Sequence, residues 1–143
     1  MFERYNVFKK LFNVFQTGGC MTIKRFEEVE AWQKARILTT AVYTMCSEGK
    51  ASKDFGFRDQ IQRASVSVMS NIAEGFERNN NKEFVRFLLY SKGSCGEIRN
   101  LLIIANDLKY IQDQQFNELS ELAVIVSSQI ANFIKYLKKA KKD

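Results

Sequence analysis

Apolar side chains recur at three- and four-residue spacing over four stretches of the chain, the period of an α-helix that buries one face. The first stretch runs from about Phe26 to Cys46, with Val29, Trp32, Ala35, Thr39, Val42 and Cys46 on its stripe. A polar connector from Ser47 to Asp54 follows, containing Gly49, Ser52 and two lysines. The second stretch spans about Phe55 to Glu77, and its face of Ile61, Ala64, Ser65, Val68 and Ile72 is rich in small side chains that let helices approach closely. Asn80 is the expected N-cap of the third, with Glu83 placed to reach back as the second half of a capping box, and the pattern continues to about Lys109. Asp113 is the expected N-cap of the fourth, where Phe116, Leu119, Ala123, Val126, Ile130, Phe133 and Leu137 keep the spacing for more than three heptads. Short connections between long helices predict an all-α, antiparallel up-and-down four-helix bundle with left-handed packing.

Charged and small residues sharpen the pairing of the second and third helices. Arg63, Ser67, Ser70 and Glu74 lie along one face, as do Arg86, Tyr90, Gly93 and Glu97 beyond the Asn79–Asn81 turn. Antiparallel helices of equal rise pair positions whose numbers have a constant sum. Arg63 with Glu97, Glu74 with Arg86, and Ser67 with Gly93 all sum to 160. Two interhelical charge pairs and a close approach at Ser67 and Gly93 are therefore expected.

Apolar residues exceed what one core can use. Leu101, Leu102, Ile103 and Ile104 are consecutive, as are Val124, Ile125 and Val126, so each run points side chains around most of a turn. Leu101, Ile103, Ile104, Val124 and Ile125 are the candidates for contact with a second copy. A tilted packing that draws most of them into one core is the alternative.

Composition narrows the class further. A length of 143 residues suits one domain, and the absence of proline removes the strongest helix breaker. Twenty-two Lys and Arg against sixteen Asp and Glu give a net charge of +6, which suits an anionic partner without requiring one. Three cysteines, Cys20, Cys46 and Cys95, are too few and too dispersed for a disulfide framework, which points to the cytoplasm. No apolar run approaches the roughly 20 residues that span a bilayer, so no membrane partner is expected.

From Phe55 to Ile98 the sequence FGFRDQIQRASVSVMSNIAEGFERNNNKEFVRFLLYSKGSCGEI resembles the small four-helix bundle proteins encoded in intervening sequences of bacterial large-subunit ribosomal RNA genes. Trp32, Gln33, Lys34 and Ala35 are similar to that family's first-helix signature, and the likeness extends from about Phe26 to Leu137. The resemblance implies a homopentameric ring, and a likeness to the accessory protein of diversity-generating retroelements, a basic pentamer that engages a reverse transcriptase and RNA. It does not imply a settled activity. Met69 departs from the family, which usually has proline at this point of the second helix.

Residues 1–20 lie outside the resemblance, whereas 21–143 form the bundle domain, and Met21 would give a family-like start. The extension carries Tyr5, Phe8, Phe12 and Phe15 at helical spacing, with Lys9, Asn13 and Gln16 off that stripe. It reads as a docking or membrane-surface helix, a terminal helix that caps its own bundle, or sequence ahead of the true start.

Catalytic chemistry has little to draw on. Histidine is absent, which removes the commonest general base and metal ligand, and no cofactor or metal is expected. Glu74, Glu83 and Glu97 face arginines in the expected register and read as structural partners. Nucleic acid, RNA in particular, is the favoured partner besides a second copy of the chain. Lys135, Lys138, Lys139, Lys141 and Lys142 at the end of the fourth helix, with Arg78 and Lys82 at the hairpin, are the candidate contacts. A solvated helix end accounts equally for the lysines, and the competing function is a protein-interaction scaffold for a polymerase or another host protein.

Overall fold

A computed structural model describes residues 23–140. Four helices hold one core: α1 (Glu30–Met45), α2 (Phe55–Glu77), α3 (Asn81–Asp107) and α4 (Asp113–Lys139), with a 3-10 turn at Phe26–Glu28 ahead of α1. Each helix packs on the next, and α4 closes against α1. Among the described residues there is no strand. The expected extension, residues 1–20, lies outside the described residues.

The buried residues follow the sequence spacing. Leu38 and Val42 of α1, Ile61, Val68 and Ile72 of α2, Leu88, Ile98 and Leu102 of α3, and Val126 and Ile130 of α4 are almost wholly shielded from solvent. Truncating one such leucine to alanine typically costs about 2–5 kcal/mol. On α1 the inner face is rotated from the expected stripe. Ala31, Ala35, Leu38, Val42 and Met45 are buried, while Trp32 and Thr39 sit half-buried at its edge.

Local signals set the helix ends. Asp54 caps α2 by accepting from the Phe57 N–H at 3.1 Å, and its other oxygen accepts from the Tyr110 hydroxyl at 2.7 Å. The Tyr110 bond is the main cause holding the Asp54 carboxyl below its ordinary pKa. It also ties the α3–α4 connection to the start of α2. Asn80 caps α3 by accepting from the Glu83 N–H at 3.1 Å, as expected. Glu83 turns its carboxylate toward Arg86 instead, at 3.8 Å.

Two boundaries differ from expectation. Asp113 is the first residue of α4, and Gln112 precedes it as an extended N-cap without a side-chain bond. Aspartate is favourable at either place, because its charge also complements the positive helix end. α3 ends at Asp107, two residues early, where Lys109 takes a left-handed conformation with φ 59°. The N–H groups of Lys109 and Tyr110 then return to the carbonyls of Asn106 and Ala105, closing a Schellman motif without glycine.

α2 and α3 run antiparallel in the expected register. Ser67 and Ser94 share a hydroxyl bond of 2.9 Å, and the buried Ser91 hydroxyl donates to the Val68 carbonyl at 2.8 Å. The close approach, however, falls at Gly75 rather than at Gly93. A Cβ on Gly75 would lie 2.6 Å from the Phe87 Cβ and 2.8 Å from a Phe84 ring carbon, whereas one on Gly93 meets nothing within 4 Å. The reason is rotational: Gly93 lies on the solvent side of α3, and Ser94 takes the inward position.

At Met69, where the resembled family carries proline, α2 continues unbroken. Proline there would release the Ser65 carbonyl, the acceptor four residues earlier. The Thr39 hydroxyl of α1 lies 3.0 Å from that carbonyl and 2.9 Å from the Ala35 carbonyl of its own helix, and shares its one proton between them.

Two stability measurements follow, both by urea denaturation. Gly75→Ala is expected to lose about 1–3 kcal/mol through overpacking against Phe84 and Phe87. Met69→Pro should cost less than the ~3 kcal/mol usual for a helix interior by up to about 1 kcal/mol, because the Thr39 hydroxyl can turn fully to the freed carbonyl. Adding Thr39→Val should then remove about 1 kcal/mol more, and a full interior-proline penalty in the single variant would contradict this reading.

Candidate nucleic-acid interface and apolar stripe

The turn at Asn79 and Asn80 places the end of α2 beside the start of α3. Aromatic packing brings the end of α4 to the same place. Phe84 of α3 meets Phe133 of α4 edge to face, with ring centres 5.2 Å apart, and Phe133 stacks on Tyr136 at 6.2 Å. Phe76 of α2 joins through Phe84 at 5.9 Å. This rivet gathers Arg78, Lys82, Lys135, Lys138 and Lys139, all exposed, at one end of the molecule. Lys141 and Lys142 lie outside the described residues.

Electrostatics divide these cations into two groups. Arg78 is partly satisfied, pairing with Glu74 at 2.9 Å and lying over the Phe87 ring at 5.2 Å. Lys82, Lys135, Lys138 and Lys139 make no ion pair with any described carboxylate. Tyr136, between Lys135 and Lys138 on α4, and Tyr90, beside Arg86 on α3, leave large parts of their rings in solvent. Arg86 donates to the Tyr90 hydroxyl at 3.0 Å and lies over that ring at 5.7 Å, a contact that raises its pKa and holds its charge. Cations interleaved with exposed aromatic rings suit a ligand with phosphates and flat bases.

The two interhelical charge pairs do not form. Arg63 pairs with Asp59 at 3.1 Å, Glu74 with Arg78, and Arg86 with Glu83, each within or just beyond its own helix. Glu97 instead accepts from Gln60 across the seam at 3.3 Å. The register is right and the partners are wrong, because a carboxylate one turn away is nearer than one across an exposed seam. The exposed Asp59–Arg63 and Glu74–Arg78 pairs contribute no more than about 0.5 kcal/mol each.

The apolar candidates also separate. Leu101 is 3% exposed and belongs to the core, a correction to its expected interface role, and Ile125 is half-buried. Ile103 and Val124 are 52% and 43% exposed, and Ile104 is exposed beside Ile103. Helical periodicity sets Ile103 and Ile104 on one outward stripe of α3 with Leu89, Gly93 and Gly96. Among the described residues, neither glycine has a neighbour within 4 Å of an added Cβ. Sequence reading missed Leu89 and Gly96, although their three-four spacing with Gly93 and Ile103 was available.

Other chemistry is sparse. Cys95 is fully buried and its thiol is pushed up to about 12 by desolvation, which makes it inert packing. Among the described residues, no three His, Cys, Asp or Glu side chains converge as metal ligands. No described helix is long and apolar enough to cross a membrane.

A family model described as 23S rRNA-intervening sequence protein matches residues 27–141. The chain belongs to this family. A solved relative in fold is a Bacteroides thetaiotaomicron protein of unknown function from the S23 ribosomal protein family, known from a crystal structure at 1.70 Å resolution. It superposes with a TM-score of 0.67 at 18% identity, over 73% of this chain and 98% of that one, a likeness of fold alone. No curated protein matches the chain significantly.

Proposed function

We propose that this family member is a non-enzymatic up-and-down four-helix bundle that assembles as a homopentameric ring in the cytoplasm and binds nucleic acid, with RNA as the favoured ligand. The basic and aromatic end carries the reading, because four lysines without described ion-pair partners stand there with the exposed ring of Tyr136. Repetition around a ring multiplies that charge into one field, which raises both affinity and its dependence on salt.

The α3 stripe supports the assembly. Glycine inside an exposed helix costs about 1 kcal/mol relative to alanine. Among the described residues, Gly93 and Gly96 have no neighbour that requires a bare backbone. Leu89, Ile103 and Ile104 on the same stripe supply apolar surface, and the glycines between them let a second helix come close. Val124 of α4 offers a further exposed apolar side chain.

Two measurements test the two halves separately. Mobility shifts with structured RNA and with DNA should show binding that weakens when Lys135, Lys138 and Lys139 are changed to Gln. The slope of log affinity against log salt should fall by roughly 0.7–0.9 for each phosphate that the variant no longer neutralises; equal affinity in both proteins would remove this end as the interface. For the assembly, Gly93→Gln with Gly96→Gln should give native masses shifted to monomer. The same substitutions should raise single-chain helix stability by about 1 kcal/mol or more, and an intact oligomer would contradict the stripe's role.

A further inference from the structure

Tyr136 ends a run of rings that starts in the core. Phe84, 6% exposed, meets Phe133 edge to face, and Phe133 lies parallel to Tyr136 within 16°. One face of the Tyr136 ring is fixed in this way, yet the residue is 59% exposed. Among the described residues no second ring and no cation lies over it. Tyr90 differs, because the Arg86 guanidinium lies over its ring and donates to its hydroxyl. At 3.6 residues per turn, Phe133 sits about 60° to one side of Tyr136 around α4, whereas Asn132, Lys139 and Lys135 sit about 40–100° to the other. The bare face therefore looks toward two exposed lysines that make no ion pair with a described carboxylate, and toward a side-chain amide.

We propose, on the nucleic-acid reading of this end, that the outer face of Tyr136 stacks an unpaired base of a single strand, with Lys135 and Lys139 meeting the flanking phosphates. In a duplex every base is covered by its neighbours, so a flat platform finds nothing to meet; an unpaired base offers its whole face. A ring already held by Phe133 loses little freedom when a base settles on it. The cationic and polar surroundings of Tyr136 disfavour an apolar protein contact, whose centre excludes lysine.

Fluorescence anisotropy on the full chain separates this contact from simple charge attraction. The probes are one single-stranded RNA, the same strand with abasic positions, and the same sequence as a duplex. Tyr136→Leu should weaken binding of the intact single strand by roughly 5- to 150-fold, the span of base stacking on an aromatic side chain. Binding of the abasic strand and the duplex should stay as it was, and Tyr136→Phe should restore the loss. The slope of log affinity against log salt should also hold in Tyr136→Leu, because no phosphate contact is removed. A loss shared by all three probes, or by none, would overturn the stacking role. If the Lys135, Lys138 and Lys139 variant weakens every probe while Tyr136→Leu changes none, the basic end stands as the interface and the platform alone falls; absence of binding to any probe removes both.

Discussion

The fold depends on how closely α2 and α3 approach each other. Gly75 lets the backbone of α2 rest against Phe84 and Phe87, and from there the seam runs through Ser91 and Val68 to the Ser67–Ser94 bond. Hydroxyls suit this seam because each is small enough for close packing and satisfies itself on a neighbouring hydroxyl or carbonyl, leaving no orphaned polar group. α1 joins by the same means, through Thr39 on the Ser65 carbonyl. With α2 and α3 fixed in register, Phe84 can reach Phe133, and the end of α4 is brought to the start of α3. The basic end therefore follows from a packing constraint about two helical turns away.

Much of this was readable in the residue order. The spacing of Ile61, Val68 and Ile72, of Leu88 and Leu102, and of Ala123, Val126 and Ile130 identifies the buried faces directly, since no proline or conflicting polar residue interrupts them. Asn80 announced the start of α3 because capping is a local interaction between a side chain and its own backbone. The end of α3 carried no such sign. Lys109 adopts a conformation that glycine usually supplies, held by the Tyr110 contacts with Asp54 and Phe57, which are long-range and invisible to local reasoning.

The candidate site was readable in part for the same reason. The lysines of α4 and the hairpin cations were visible as charges, but their meeting at one end rests on Phe76, Phe84, Phe133 and Tyr136, whose contacts exist only after folding. The proposed charge pairs captured the antiparallel register and misassigned the partners. Complementary charges across a constant sum constrain alignment, yet Asp59 and Arg78 compete locally and win. Leu101 and Ile103 are neighbours in sequence with opposite fates, a distinction set by a rotation of the helix that the unbroken apolar run conceals.

The intrahelical character of the α2 and α3 ion pairs has an evolutionary consequence. The Asp59–Arg63, Glu74–Arg78 and Glu83–Arg86 pairs each lie within one turn of their own helix, so the α2–α3 seam does not rely on those surface charges staying where they are. Lineages can gain, lose or relocate charged side chains while the scaffold persists. Electrostatic character thereby drifts independently of shape, and one inherited framework can be retuned toward different polyanions by exchanging residues that the packing never uses.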